Sequence, residues 1–194
     1  MAAGRPRQFD YDDALDQAMK VFWSKGYEGT SMPDLTEAMG MNRPSIYSSF
    51  GNKEELFRKA LERYSKNAVA FFCEKLDKPT VREALGAFLY GAASTFACPK
   101  SPRGCMAVQG ALVCSDEAEA SRLEALGRRE DVVKLLQGRF ERGLYDGDLP
   151  KGTDAEGLAR FYTAIMQGMS VQSAGGATDA QLHMIAANAM KVLP

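Results

Sequence analysis

A short run of polar side chains in the N-terminal third of the chain is suited to contacts with a nucleic acid. In NRPSIYSSF, a helix over residues 43–49 turns Ile46 and Phe50 to one side. An arginine in the first turn of such a helix can pair bidentately with guanine, and a tyrosine one turn later can place its hydroxyl on a phosphate. The side chains left facing outward are Arg43, Pro44, Ser45, Tyr47 and Ser48.

The preceding residues predict the elements that position this helix. Thr30 and Ser31 can cap a short helix, and Gly40 supplies the left-handed conformation that ends it. Asn42 then caps the second short helix, which completes a helix-turn-helix arrangement whose second helix enters a major groove. Thr30 or Ser31, and Lys53 further on, lie at predicted helix starts, where free backbone N–H groups favour phosphate.

Positive charge in this part of the chain is local. The whole sequence has a net charge of −1, which argues against a protein that coats nucleic acid in bulk. No acid occurs between residues 38 and 52, where Arg43 lies. Arg5 and Arg7 precede the first helix and are predicted either to reach a minor groove or to be solvated. DNA binding is therefore expected to depend on few phosphate contacts.

The stretch GMNRPSIYSSFGNKEELF resembles the signature of TetR-type (TetR/AcrR-like) transcriptional regulators. The usual form is Gly, apolar, Ser, two residues, Thr or Ser, Leu or Ile, Tyr, two residues, Phe, two residues, Lys, Glu. It is matched at Gly40, Ser45, Ile46, Tyr47, Phe50, Lys53 and Glu54. Asn42 stands where Ser is usual, and Ser48 and Ser49 stand where His or Tyr are common. The resemblance implies a homodimeric repressor, not an enzyme, that binds double-stranded operator DNA.

Helix-start signals predict an all-α fold. No stretch alternates convincingly as a strand, and four Ser/Thr/Asn-x-x-Glu/Gln patterns resemble capping boxes. We predict a helix-turn-helix domain with an N-terminal arm over residues 1–52, a connecting helix over 53–79, and a helical ligand-sensing and dimerisation domain over 80–194. The capping pairs are Asn52 with Glu55, Thr80 with Glu83, Thr153 with Glu156, and Thr178 with Gln181.

Apolar spacing predicts the helices themselves. The first is expected over residues 10–25 and is closed by Gly26, and GCMAVQGALVC is expected to form one short buried helix over 104–114. Ser115 is predicted to cap the helix that follows. The remaining helices are expected over 52–76, 80–97, 116–143, 154–174 and 179–193.

The last two helices carry the predicted dimer contacts. The resemblance implies that these helices from two subunits form a four-helix interface, and the operator is then expected to be near-palindromic. The alternative is that the same side chains are intrachain core. The residues concerned are Phe161, Ile165, Met169, Leu182, Ile185 and Met190.

A cavity for a small apolar inducer is predicted between the middle helices, because methionines and aromatic residues form adaptable pockets. The alternative is a filled core. By resemblance, ligand binding changes the separation of the two DNA-binding domains through the helix that begins at Asn52. The predicted lining residues are Phe88, Phe96, Met106, Tyr162 and Met166.

Cys105 suggests a second kind of regulation. It follows Arg103 and Gly104 at a predicted helix start, where a cation and the helix dipole stabilise a thiolate. The chain is then a repressor that senses oxidants or electrophiles, with Cys98 or Cys114 available to form a disulfide. The alternative is a buried cysteine acting as a small hydrophobe.

Several other classes of function are not supported by the sequence. The spacings C-x6-C and C-x8-C do not suit zinc, and the single histidine, His183, is distant, so no metal, cofactor or catalytic base is expected. No export signal or apolar run long enough to span a bilayer is present, which predicts a cytoplasmic protein without a membrane partner. A helical enzyme or interaction module that does not bind DNA remains the alternative from a different class.

Overall fold

The computed structural model describes residues 10–194, and this part of the chain contains only helices, turns and irregular segments. The all-α prediction is confirmed. Within these residues no helix is both long and apolar enough to cross a bilayer. The helices are α1 (Tyr11–Gly29), α2 (Met32–Met39), α3 (Arg43–Phe50), α4 (Lys53–Leu76), α5 (Val81–Phe96), α6 (Met106–Gln109), α7 (Glu119–Asp146), α8 (Ala155–Ala174) and α9 (Asp179–Ala189), with 3₁₀ turns at Asp116–Ala118 and Met190–Val192.

Helix α1 begins at a strong cap and bends at a glycine. The Asp10 carboxylate accepts the backbone N–H groups of Asp12 and Asp13. The helix does not close at Gly26 as predicted. It kinks there, because Gly26 takes φ 71°, and resumes for one more turn. This last turn points Tyr27 and its neighbours towards α6.

Helices α1 to α3 form the N-terminal head around a shared apolar core. Phe22 of α1 and Phe57 of α4 are fully buried and meet edge to face, with ring centroids 5.2 Å apart. Trp23 packs on Tyr64 in the same manner at 4.9 Å, so it is core as its helical spacing indicates. Helix α4 therefore closes the head while continuing beyond it.

Helix α4 connects the N-terminal head to the C-terminal half of the chain. Its Asn52 and Glu55 form the predicted capping box. Its 24 residues span about 36 Å at about 1.5 Å per residue. It packs against α1 near its start and against α5 and α7 further on. The guanidinium of Arg63 binds Asp16 at 2.5 Å and Asp12 at 2.7 Å, which fixes α1 to the middle of α4.

The C-terminal helices pack around the second half of α4. Helix α8 contacts α7, α5 and α9, and α9 lies on α5. The capping boxes at Thr80 and Thr178 are confirmed. The one predicted at Thr153 is wrong, because the carboxylate of Asp154 caps α8 by accepting the N–H of Gly157 at 2.9 Å, while the Thr153 hydroxyl donates to Pro150.

The segment 104–114 is helical over only four residues. Helix α6 stops at Gln109, and Leu112 and Val113 are exposed instead of buried. The prediction of one buried helix here is wrong because the Gly110 carbonyl, which a longer helix would use internally, accepts the Tyr27 N–H at 2.6 Å. The predicted cap at Ser115 is also wrong, since this side chain donates to Glu28.

Candidate nucleic-acid interface

Helix α3 is held by its buried side and by a cap at its start. Gly40 adopts the left-handed conformation (φ 61°, ψ 26°) that ends α2, as predicted. The Asn42 side-chain oxygen accepts the Ser45 N–H at 2.9 Å. Ile46 and Phe50 are fully buried beneath the helix. These contacts fix the orientation of an eight-residue helix that is too short to be stable alone.

The opposite face of α3 carries the five residues that the sequence predicted to face outward. Arg43, Pro44, Tyr47 and Ser48 are exposed, and Ser45 is half-buried. The Arg43 guanidinium lies 5.7 Å from the centroid of the Tyr47 ring and donates to its hydroxyl at 3.5 Å. No acidic side chain belongs to α3. The face is therefore an exposed surface that offers hydrogen-bond donors and one positive charge.

The two residues predicted at the start of α2 have different environments. Ser31 is exposed and caps the helix by accepting the Asp34 N–H at 3.2 Å. Thr30 is only 1% exposed, and its hydroxyl donates to the Gly26 carbonyl at 2.6 Å. Its side chain therefore completes the kink of α1 and is removed from the surface that a phosphate could reach. Nearby, the Lys25 ammonium 2.6 Å away holds the pKa of the Asp34 carboxyl well below its usual range.

The remaining predicted DNA contacts are not part of the α3 face. Lys53 begins α4 as expected, but its ammonium lies over the Tyr27 ring, 4.4 Å from the centroid. Partial burial lowers the pKa of Lys53. This contact directs the charge towards α1 instead of outward from the helix start. Arg5 and Arg7 lie outside the described residues.

Two supporting residues were missed by sequence reasoning. Lys59 of α4 donates to the Phe50 carbonyl at 2.9 Å, at the negative end of the α3 dipole. The Tyr11 ring stacks on Phe50 with centroids 4.5 Å apart. Both residues lie on other helices, and no periodic pattern in the sequence relates them to α3. They hold the C-terminal end of the helix, as Asn42 holds its start.

A hydrogen-bonded contact joins the end of α1 to the segment around α6. Besides the Tyr27 to Gly110 bond at 2.6 Å, the Glu28 carboxylate accepts the Ser115 N–H at 2.9 Å and its hydroxyl at 2.8 Å. These hydrogen bonds from Ser115 lower the pKa of Glu28. We call this set the α1–α6 contact. It ties the head to the C-terminal half independently of α4.

An apolar cleft lies where α4, α6 and α7 meet, and we call it the α4–α7 cleft. Its cavity volume is only about 30 Å³, room for about two water molecules, within about 410 Å³ of empty space that includes open solvent. Ser65, Phe72 and Val132 are among its lining residues. Of the five residues predicted to line a cavity, Met166 lies on this cleft.

The other four predicted cavity residues are tightly packed core. Phe88, Phe96, Met106 and Tyr162 are at most 2% exposed. The Phe88 ring contacts Phe72 at 4.7 Å between centroids, and the Tyr162 hydroxyl donates to the Ala189 carbonyl at 3.4 Å. Phe72 therefore separates Phe88 from the space of the cleft. Apolar spacing identified buried positions here without distinguishing packed core from cavity wall.

The expected thiolate environment of Cys105 is absent, and the pKa expectation is wrong. Burial raises the pKa of the Cys105 thiol above its ordinary value. Helix α6, which follows it, has only four residues, so its dipole is small. Arg103 donates to the Ala177 carbonyl at 2.9 Å. All four cysteines are free thiols, with Cys105 buried and Cys98 and Cys114 half-buried.

The predicted dimer residues divide between surface and core. Phe161 is 39% exposed, and Ile165, Ile185 and Met190 are half-buried. Met169 and Leu182 are fully buried within the single chain, which removes them from any surface available to a partner. Val171 and Met184, which the sequence reasoning did not select, are exposed on the same two helices. Helices α8 and α9 thus have an apolar outer surface, but some of its residues differ from those predicted from the sequence.

The described residues offer little support for a metal site or a catalytic histidine. Within residues 10–194, no group of three or more His, Cys, Asp or Glu side chains is arranged to hold a metal ion. The single histidine, His183, has its Nδ1 2.9 Å from the Asp179 carbonyl oxygen and stacks on Tyr90. Its neighbours are those of a residue at a helix–helix contact.

Comparisons with known proteins place these features in a family. The model of the bacterial regulatory proteins of the tetR family matches residues 14–60. The chain is 35% identical to the HTH-type transcriptional repressor ComR of Escherichia coli (strain K12), over 98% of this chain and 92% of that protein. It is 29% identical to the HTH-type transcriptional repressor BdcR of the same organism, over 96% of this chain and 90% of that one.

Solved structures agree along the whole length. A cysteine-substituted form of the TetR family transcriptional regulator CifR, complexed with 26-bp double-strand operator DNA, superposes with a TM-score of 0.95. The two chains are 40% identical, and the match covers 98% of this chain and 100% of that one. A putative TetR transcriptional regulator from Rhodococcus sp. RHA1 is 42% identical with a TM-score of 0.63, over 95% and 99% of the two chains. This chain therefore belongs to the TetR family of transcriptional regulators.

Proposed function

We propose that this protein is a homodimeric transcriptional repressor that binds near-palindromic double-stranded operator DNA and is released from it by a small, largely apolar inducer. The exposed, acid-free face of α3, anchored on Ile46 and Phe50, carries the proposal. ComR and BdcR are named repressors, and CifR has been solved on operator DNA, which supports the same activity here. The family regulates transcription and does not catalyse a reaction.

On α3, each exposed side chain has a role suited to its chemistry. Arg43 pairs with a guanine edge in the major groove, and Ser45 and Ser48 hydrogen-bond to neighbouring base edges. Pro44 contributes apolar contact, since it has no N–H to donate. The Tyr47 hydroxyl binds a backbone phosphate, which sets the position of the helix without reading sequence. Ser31, at the start of α2, is a further phosphate contact.

The dimer places one α3 in each of two half-sites. A single head offers few positive charges, so two are needed for tight binding. We assign the head to residues 1–52, the connecting helix, which also forms one wall of the ligand cleft, to 53–79, and dimerisation and the rest of the ligand site to 80–194. The dimer surface lies on α8 and α9, at Phe161, Ile165, Val171, Met184 and Ile185. Half-sites about 34–36 Å apart suit two such heads.

Ligand binding in the α4–α7 cleft changes DNA affinity by moving the heads. Helix α4 forms one wall of the cleft and also closes the head, so its displacement moves α3. The α1–α6 contact supplies a second connection, because Cys105, Ala107 and Val108 line the cleft and the chain leads directly from them to Gly110. The inducer must bind the DNA-free arrangement more tightly, because only differential affinity shifts the equilibrium.

Selection of binding sites from random duplex DNA, followed by titration of the recovered duplex, tests the proposal. A near-palindrome is expected. Arg43→Ala removes one base contact of about 1–3 kcal/mol from each half-site, so the dimer is expected to lose about 2–6 kcal/mol, or at least about 30-fold in affinity. Tyr47→Phe is expected to weaken binding to all sequences.

Arg142→Ala is the matched control, because Arg142 is an exposed arginine on α7 whose loss changes the net charge equally. All titrations use one salt concentration, since phosphate contacts make affinity depend on salt. No enriched sequence from a folded dimer, or equal binding by the Arg43→Ala, Tyr47→Phe and Arg142→Ala proteins, would reject the operator-binding function.

A further inference from the structure

Two buried hydrogen-bond donors on the α4–α7 cleft have no partner among residues 10–194. Ser65 is only 8% exposed, and its hydroxyl makes no hydrogen bond. The Nε–H of Arg128 is likewise buried without a partner. Both residues line the cleft, one from α4 and one from α7. Because buried polar groups are normally paired, these two donors mark the place where a bound molecule supplies an acceptor.

The cleft is also lined by the guanidinium of Arg129, which has no ion-pair partner in the part of the chain that the structure describes. Arg128 is balanced by Glu124 at 2.6 Å and by Asp131 at 3.9 Å. Arg129, which also lines the cleft, donates to the Ala107 carbonyl at 2.8 Å, and within residues 10–194 no carboxylate forms an ion pair with it. Glu130, its neighbour, pairs with Arg160 at 3.6 Å. Burial lowers the pKa of the Arg129 guanidinium, as expected for a partly desolvated cation.

The rest of the cleft wall is apolar and extends along α4. Ser65 and Phe72 lie about 10 Å apart along α4, at about 1.5 Å per residue. A second, outer cleft between α4 and α7 opens to solvent and shares Ser65, Val69 and Arg128 with the inner one. Ser65 and Arg128 therefore lie where the two clefts meet, while Arg129 lines the inner cleft alone. The apolar wall beyond them is formed by Ala68, Phe72, Val132 and Met166.

We infer that the α4–α7 cleft widens to bind a monocarboxylate with an apolar body about 10 Å long, its carboxylate held by Ser65 and Arg128, where the inner and outer clefts meet, and by Arg129 of the inner cleft. A carboxylate accepts from all three donors and balances the charge of Arg129. A neutral apolar molecule would bury the cation unpaired, and an amine would repel it. The inference rests on the proposed function, because it names the chemical class of the inducer.

Calorimetric titration of the dimer without DNA tests this assignment, with octanoate, methyl octanoate and octylamine as probes. We expect octanoate to bind at least about tenfold more tightly than its methyl ester, the difference that one charge-assisted hydrogen bond supplies, and octylamine not to bind. Arg129→Gln is expected to abolish the preference for octanoate over the ester. Ser65→Ala, which removes a single buried oxygen, is expected to weaken octanoate binding several-fold.

Lys66→Gln is the matched control, because Lys66 lines the outer cleft but not the inner one and pairs with Glu62 at 2.9 Å. It is expected to leave octanoate binding unchanged. If Arg129→Gln fails to fold, Ser65→Ala alone decides. Absence of octanoate binding, equal affinity for acid and ester, or an unchanged Ser65→Ala protein would overturn the inference. A protein that binds octanoate yet selects no DNA would keep this site and reject the repressor function instead.

Discussion

The cap at the start of α3 allows a direct test of how the protein holds its DNA-contacting helix. Asn42 accepts the Ser45 N–H at 2.9 Å, and its loss in Asn42→Ala leaves that donor without an internal partner. Loss of an N-cap costs about 1 kcal/mol, within a range of about 0.5–2. Helix α3 has only eight residues, so its first turn, with Arg43 and Ser45, is expected to fray.

An operator-bound dimer must order two such turns. The expected loss of binding free energy is therefore about twice 1 kcal/mol, or about 30-fold in affinity. Fluorescence anisotropy with the selected duplex measures this loss at one salt concentration. Urea unfolding measures the cost to the folded chain, which is expected to be about 1 kcal/mol per subunit.

Asn42→Ser is the control, because serine caps a helix about as well as asparagine but lacks the amide that could touch DNA. It is expected to bind DNA nearly as tightly as the parent protein. Equal weakening by Asn42→Ser and Asn42→Ala would refute the reasoning, since the amide would then act on DNA and not as a cap. Full binding by Asn42→Ala would show that the cap contributes nothing to the order of α3.

Thr30 and Cys105 are expected to behave differently from the DNA contact and the reactive thiol that the sequence predicted. Thr30→Val removes the hydroxyl that donates to Gly26 and is expected to lower the unfolding free energy by about 1 kcal/mol, whereas Thr30→Ser is expected to leave it unchanged. Urea unfolding measures both variants. A loss of DNA affinity at unchanged stability would show that Thr30 contacts DNA after all. The Cys105 thiol is expected to react with a disulfide reagent far more slowly than the exposed Cys73, because its raised pKa keeps it protonated at neutral pH. Its reaction rate is expected to rise only at pH values above those at which ordinary thiols ionise. Thiol titration from pH 7 to 10 follows both cysteines in Cys105→Ser and Cys73→Ser variants, and fast reaction of Cys105 at neutral pH would support a redox switch.

Local sequence signals predicted the helices well where the cap and the apolar pattern agreed. Asn52, Thr80 and Thr178 each start a helix with the expected capping box. The error at Thr153 arose because the adjacent Asp154 is an equally good cap, and a pattern cannot choose between neighbours. The error over 104–114 arose because Tyr27, a residue distant in sequence, takes the carbonyl that would have continued the helix.

The candidate sites were predicted unevenly for a physical reason. The α3 face follows from helical spacing alone, since burial of Ile46 and Phe50 fixes which side chains point outward. A cavity depends on how several helices meet. The residues predicted to line it are large and apolar, yet Phe88 fills space in the core, while Ser65 and Arg129 line the cleft. Polar residues on a cavity resemble surface residues in a helical pattern until the packing is known.

The α1–α6 contact limits how this regulator can be recombined with its relatives. An exchange of residues 1–52 for a foreign head would keep α4 but replace Tyr27 and Glu28, and with them the bonds to Gly110 and Ser115. The foreign head would be tethered by α4 alone. A chimera that still answers its inducer must carry residues 105–115 together with the head. The exchangeable module is thus discontinuous in sequence, and its boundary runs through the ligand cleft.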